Sequence, residues 1–455
     1  MTTPSRRSVL QAIAASAVAS LAPASSQAQA DAALASTKFR LGVDERAKAV
    51  QRLTQYFHEN ATKLLRPAQG HLRYPSISPS LPHSQYSTEL WDWDTLWTTL
   101  GLLQTSSKAG DQVLRRQVIE HARGSLLNFF DHQDHDGRIP MLISVSNPDP
   151  LHCLGGAAPH KENQAKPVLA QLALLVSHEI GYNWLVPHFD NLLLFFRSWE
   201  TNNRSHTGLL VWGDDVAIGN DNDPTTFGRP FFSSANLLLN TLWHQDLQAA
   251  AELAAQLGLH SHETELREKA HSVAEATQRC CWDPRDQFFY TADVQCVDRR
   301  SELIPDVPRG MAMSWSSLPL RIQTFTGFLP MWCGIATSEQ AHALAMHQRN
   351  TKTFCANTGV RSLSAQESMY SLASSTNPSN WLGPIWIIVN YFVWSGLKRY
   401  GMNDDAEVLA DKTIHLLDRD LAATGSLNEY YHPDTGEALS HRGFMDWNLL
   451  VLAMS

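Results

Sequence analysis

The sequence predicts an all-α chain folded as a single domain. Helical periodicity recurs from Val43 almost to the last residue, the periodic segments number close to twelve and fall in pairs, and no long linker interrupts them. Helices of this length cannot bury their apolar faces alone and must pack in layers. Six hairpins closed into an (α/α)6 toroid is the natural packing for this number, and a closed barrel can use all 455 residues as one unit.

The predicted helices lie near 43–65, 91–106, 111–130, 166–181, 184–203, 233–257, 260–281, 320–334, 337–347, 384–400, 403–420 and 443–453. The first carries apolar residues at three-and-four spacing with charges between them. Pro384 is expected at the first position of its helix, and Gly401, after Lys398 and Arg399, is expected to close it. Asp404 and Asp405 place negative charge at the N-terminal end of the next helix. Strand-like alternation is rare, and Gln287 to Asp293 is the one short hairpin arm expected. The long loops, 70–87, 131–161, 203–229, 283–315 and 350–380, are mostly rich in Gly, Pro, Asn, Asp or Ser. They are expected to form a rim around one end of the toroid, where chemistry would sit.

Hydrophobic residues make up 43% of the chain, enough for a large core and too many for disorder. The net charge of -9 argues against nucleic acid or an anionic membrane as the main partner. The 14 Trp are more pointed: indole faces stack on the apolar faces of sugar rings, although most Trp in any protein are core. Ser5-Arg6-Arg7-Ser8-Val9-Leu10, a weakly apolar run to Leu21 and Ala28-Gln29-Ala30 read as a twin-arginine export signal over residues 1–30. Residues 31–455 would then be the folded domain, delivered to a periplasm or secreted; the plainer reading is a basic, frayed terminus. Ile385 to Trp394 is too short for a membrane span and contains Asn390. The six cysteines show no metal-ligand spacing, so no zinc site is expected. Export would permit Cys280 or Cys281 to pair with Cys296, and buried free thiols are the default.

Five clusters carry chemistry. Glu89-Leu90-Trp91-Asp92-Trp93-Asp94 sets two indoles and two carboxylates at a helix start, where carboxylates can accept sugar hydroxyls or cap the helix. Trp212 to Pro224 holds Asp214, Asp215, Asp221 and Asp223. Crowded carboxylates raise one another's pKa, as a general acid requires; a calcium loop without EF-hand spacing and a solvated acidic turn are the rival readings. Asn428-Glu429-Tyr430-Tyr431-His432-Pro433-Asp434-Thr435-Gly436 places Glu429 among aromatics before a turn, where it is either a tuned base or an incidental surface group. Asn380-Trp381-Leu382-Gly383-Pro384-Ile385-Trp386 precedes an apolar helix in which a buried Asn390 must find a partner. Glu162-Asn163-Gln164-Ala165-Lys166-Pro167 sets Gln164 at a helix entrance, as a sugar-binding amide or a cap.

Taken in this order, the clusters resemble glycoside hydrolase family 63 and its mannosylglycerate and glucosylglycerate hydrolase relatives, from Trp91 to Trp447. The family's Trp-Asp element resembles Trp91-Asp92-Trp93-Asp94, and its Gln-Pro-Pro element resembles Gln164 to Pro167 with a residue inserted or changed. Its Ser-Gly-x-Asp-Asn-Ser-Pro element resembles Ile218 to Pro224, its Trp-Arg-Gly-Pro-x-Trp element Trp381 to Trp386, and its Glu-x-Tyr-x-Pro-x-Thr-Gly element Glu429 to Gly436. Leu382 stands where the family often has Arg, and Asp223 replaces a small residue. The resemblance is the main ground for closing the helices into a six-hairpin barrel.

The resemblance implies an inverting hydrolase of terminal α-linked glucose or mannose, with Asp221 as general acid, Asp223 as second choice, and Glu429 as general base. It places Trp91, Asp92, Trp93, Asp94 and Gln164 around the sugar and Trp381 and Trp386 as walls, with no metal or organic cofactor. Arg361 and Arg442 are candidates for a substrate carboxylate, against ordinary loop salt bridges. A trehalase shares this logic but its Gln-Trp-Asp-Tyr-Pro-type signature is absent. A toroidal epimerase would use a His pair, for which His152 and His160 are the nearest candidates among 20 His. A non-catalytic periplasmic carbohydrate-binding protein is the alternative from another class.

Overall fold

A computed structural model describes residues 39–154, 163–296, 315–373 and 378–455. The export signal expected over 1–30, together with Glu162 and His160, lies outside them. The described α-helices are α1 (Val43–Ala61), α2 (Asp92–Ala109), α3 (Gln112–Asp131), α4 (Leu169–Ile180), α5 (Phe189–Asn203), α6 (Leu237–Gln256), α7 (His260–Cys281), α8 (Leu329–Cys333), α9 (Ser338–Arg349), α10 (Ile387–Arg399) and α11 (Asn403–Thr424). A 3-10 helix, Asp446–Leu452, follows near the C-terminal end. Each of the twelve predicted segments overlaps one of these elements.

The helices divide by burial. α6 hides every residue from Leu237 to His244, whereas α7 buries one stripe, Leu266, Ala270, Val273, Thr277 and Cys280, and is otherwise wet. The inner members α2, α4, α6, α8, α10 and the 3-10 helix each pack on the next, and the last packs on α2. That contact closes the ring. α1, α3, α5, α7, α9 and α11 lie outside it, one per inner helix, giving the (α/α)6 toroid. Closure needs the 3-10 helix to come very near α2. A Cβ added at Gly101 would lie 2.2 Å from the Leu449 Cβ, so only glycine fits that crossing.

Two helix starts differ from expectation. α10 begins at Ile387, because Ile385 is held extended between Arg361 and Tyr431, with reciprocal backbone bonds to Tyr431 of 2.8 and 3.0 Å. Pro384 therefore precedes the helix instead of opening it. α8 is short because Pro330 supplies no N–H and marks the first turn of its helix. The arm expected over Gln287 to Asp293 is two short strands: Phe288–Phe289 pairs with Trp282–Asp283, and Ala292–Asp293 lies between Ser234–Ala235 and Leu318–Pro319. Asn390 finds its partners inside the core: it donates to the Thr413 hydroxyl (3.0 Å) and accepts from Val360 N (2.9 Å). All six cysteines are unpaired, five of them buried. No described helix is long and apolar enough to cross a membrane.

Alternation of inner and outer helices makes the inner ones run in one direction. Their N-terminal ends, with the partial positive charge of each helix dipole, gather at one end of the barrel, where the predicted clusters lie.

Candidate active site

A cavity opens at that end. The first turn of α2 and the segment before it supply Tyr86, Trp91, Trp93 and Asp94; the entrance to α4 supplies Lys166; the loop before α6 supplies Ala217, Gly219 and Asp221. Ser379 comes from the segment before α10, and Glu429, Phe444 and Trp447 from the segment around the 3-10 helix. Asp221 and Glu429 thus reach one cavity from distant stretches of chain.

The loop that carries Asp221 is tied down by its other acids. Asp223 is buried and accepts from Thr225 N and its hydroxyl (2.8 Å each), Asn220 Nδ2 (2.6 Å) and Asn236 Nδ2 (3.1 Å). Asp214 accepts from Asn163 Nδ2 (2.6 Å) and Val216 N (2.9 Å), and Asp215 accepts from Gly228 N (2.7 Å). Of the four, Asp221 lines the cavity. Two kinks let it do so. Gly219 has φ +99°, and a Cβ there would lie 3.0 Å from the Trp93 ring and 3.1 Å from Lys166 Cε. Ala217 has φ +51°, a conformation costly for a residue with a side chain; Tyr86, on the opposite rim, shares it at +66°. Asn222 then donates to Asn380 Oδ1 (3.1 Å) and accepts from Trp381 N (2.7 Å), which locks this loop to the one before α10.

Burial pushes the Asp221 carboxyl up to about 6; the Lys166 ammonium pulls it down and the Glu429 carboxylate pushes it further up. The Ser379 hydroxyl also hydrogen-bonds it, favouring the charged form. Lys166 and Asp92 form an ion pair at 3.0 Å with side chains 1% and 0% exposed. Asp92 additionally accepts from the backbone N–H of Lys166 (2.6 Å) and of Trp93 (2.7 Å). It therefore anchors the entrance of α4 to the start of α2, and is not part of the cavity lining. Asp94 does line the cavity. Burial raises its carboxyl to about 7 and that of Asp446 well above the usual range, so the contacting pair retains a proton near neutrality. Thr98 donates to the other side of Asp446 (2.9 Å).

The remaining predicted residues sit one layer back. Gln164 is buried, donating to Ser198 Oγ (3.3 Å) and accepting from Ile139 N (3.4 Å). Trp381 and Trp386 are stacked with centroids 3.8 Å apart, and Trp381 also faces Trp93 at 6.4 Å. Trp381 reaches the site through a 3.0 Å bond from its Nε1 to Ser379 Oγ, while Trp386 donates to Asn380 O. Trp447, within 5.6 Å of Trp93, presents an indole to the cavity itself. Arg361 is buried against the Cys355 carbonyl (2.6 Å) and Asp434 (3.1 Å), and Arg442 donates to the Thr424 carbonyl; neither lines the cavity. Among the described residues no group of three or more His, Cys, Asp or Glu is arranged to hold a metal.

Sequence reasoning passed over Tyr86, Lys166, Ser379 and Trp447 as site residues. Lys166 and Trp447 belong to stretches already singled out. Tyr86 and Ser379 carry no local signal, since only the closing of the ring brings their loops together.

Residues 88–446 match the model of the family described as mannosylglycerate hydrolase MGH1-like glycoside hydrolase domain. Over 113 residues the chain is 33% identical to the mannosylglycerate hydrolase MGH1 of Selaginella moellendorffii, covering 25% of this chain and 21% of that protein. It is 28% identical to the mannosylglycerate hydrolase of Thermus thermophilus over 147 residues, 31% of this chain and 32% of that one. The matched stretches thus span from about a fifth to a third of these relatives. In structure, the chain resembles a GH63 mannosylglycerate hydrolase from Thermus thermophilus in complex with glucose, with a TM-score of 0.62, 20% identity, and 90% and 98% of the two chains covered. It resembles neutral trehalase Nth1 from Saccharomyces cerevisiae with a TM-score of 0.53 at 16% identity, over 84% and 74% of the chains. These likenesses establish the toroid.

Proposed function

The chain belongs to the mannosylglycerate hydrolase MGH1-like glycoside hydrolase family, and from that premise we propose that it hydrolyses a terminal α-linked glucose or mannose of a small glycoside with inversion at the anomeric carbon. The observation that carries the reading is the one cavity that Asp221 and Glu429 both line. Asp221, whose carboxyl holds its proton up to about 6, donates to the glycosidic oxygen as the bond to the anomeric carbon breaks. Glu429, ionised, takes a proton from a water on the opposite face of the ring, and that water's oxygen bonds to the anomeric carbon. Trp91, Trp93 and Trp447 offer apolar faces to the sugar, and Asp94, whose pair with Asp446 retains a proton, meets the sugar hydroxyls. No metal or organic cofactor enters this scheme. Export by the twin-arginine route to a periplasm belongs to the same reading, resting on Arg6-Arg7 and Ala28-Gln29-Ala30.

The test is a panel of α-glucosides and α-mannosides, glycerate glycosides and trehalose included, with the product anomer followed by NMR. Asp221→Asn and Glu429→Gln are each expected to lower turnover about 10²–10⁴-fold. Near-normal turnover in either variant would remove that residue from the mechanism, and a retained anomer would overturn the inverting scheme.

A further inference from the structure

Glu429 is held by groups that the scheme above does not use. Among the described residues, the hydrogen bonds to its carboxyl group all fall on Oε2, from His441 Nδ1 and from the Ser440 hydroxyl at 3.3 Å, which also lies 3.0 Å from that Nδ1. The backbone sets the pairing. Tyr431 bridges Ala438 and Asn428 bridges Arg442 in antiparallel sense, and the register slips by one residue between these two bridges, so residue 429 faces the pair 440–441 across the hairpin closed by Pro433-Asp434-Thr435-Gly436. That slip brings both the Ser440 and the His441 side chain to the Glu429 carboxylate. The Glu429 side chain is 4% exposed and the His441 side chain 24%. Tyr86 meets the ring edge-on at 5.7 Å and lines the same cavity.

We propose that His441 is a positioning residue for the hydrolytic reaction: its Nδ1–H holds Oε2 of Glu429 so that Oε1 faces the attacking water. The proposal rests on the reading of Glu429 as the base.

The groups around the imidazole are consistent with a cation there. Glu429 is the carboxylate in contact, and it draws the His441 pKa above its ordinary value by hydrogen bond and charge. The Tyr86 phenol is pushed well up by burial and by the surrounding carboxylates of Glu429, Asp221, Asp94 and Glu89, so it stays neutral. Arg442, next in sequence, turns to the Thr424 carbonyl.

The experiment uses the full chain and the panel substrate that the wild type turns over fastest, with kcat and KM followed across pH for His441→Ala and His441→Asn. His441→Ala is expected to lower kcat about 10²-fold, as for a reacting group misplaced by an ångström, with KM little changed. His441→Asn returns an N–H near the Nδ1 position and should recover most of kcat. A purely structural role would scale down the active fraction and leave His441→Asn as impaired as His441→Ala; that result, or wild-type kinetics in His441→Ala, overturns the proposal. Glu429→Ala with added azide separates the two readings. If azide restores turnover as an inverted glycosyl azide while His441→Ala behaves as wild type, the base stands and the positioning role falls. If Glu429→Gln keeps wild-type turnover, the base reading fails and takes the positioning role with it.

Discussion

Replacing Lys166 by Met tests the electrostatics of the site on two axes at once. The ammonium and the Asp92 carboxylate lie 3.0 Å apart with side chains 1% and 0% exposed, so neither is hydrated by bulk solvent. Removing one partner of such a pair costs about 3–5 kcal/mol, because the other charge is left buried and uncompensated. Two backbone N–H groups, at 2.6 and 2.7 Å, still hold Asp92, which favours the lower end of that range. A chain of 455 residues carries roughly 1 kcal/mol/K of unfolding entropy at about 2.1 cal/mol/K per residue, so the melting temperature should fall by about 3–5 °C. Scanning calorimetry measures this. The double variant Lys166→Met/Asp92→Leu removes both charges and should regain much of the loss, as apolar replacement of a buried pair often does. The same substitution acts on catalysis. Lys166 lowers the Asp221 pKa, so without it the general acid stays protonated to higher pH and the alkaline limb of kcat moves upward. An unchanged melting temperature together with an unmoved limb would refute the electrostatic account of both groups.

In the wild type, Asp221 must carry its proton to act, so activity should fall as pH rises through about 6, and Asp221→Glu, a carboxyl displaced by one methylene, should change both the rate and the position of that limb. A profile flat through neutrality would reassign the acid. Gly219→Ala places a Cβ 3.0–3.1 Å from Trp93 and Lys166 at a φ of +99°, and should cost about 1–3 kcal/mol with a fall in kcat/KM, read from melting and steady-state kinetics.

The parts of this protein legible in its sequence are those fixed by local pattern. The outer stripe of α7 and the charges at Asp404 and Asp405 announce helices without reference to anything distant. The inner helices are readable as helices but not as a ring, since α6 is buried on all sides and its periodicity names no partner. Within the site, Trp93 and Asp94 stand out because chemistry is concentrated in one turn. Asp92, Gln164, Trp381 and Trp386 have the same residue types, and their places one layer back follow from partners that residue type does not name: Lys166 and Ser198 from distant stretches for the first two, Ser379 and Asn380 close in sequence for the indoles. The acids of the loop before α6 show the same thing, for nothing in Asp214, Asp215, Asp221 and Asp223 as letters says which has its oxygens taken by neighbouring amides. His441 was not recoverable by counting: a turn at Pro433 to Gly436 puts Ser440 across from Glu429, and only the one-residue register slip before the Asn428–Arg442 bridge brings His441 there as well.

The ring is sealed by its final member. Trp447, which lines the cavity beside Trp93, and Asp446, which meets Asp94, sit on the 3-10 helix wedged against Gly101 of α2. One wall of the cavity is therefore built by two stretches of chain more than three hundred residues apart, so a substitution that loosens the 3-10 helix from α2 would disturb Trp447 and the Asp94–Asp446 contact together.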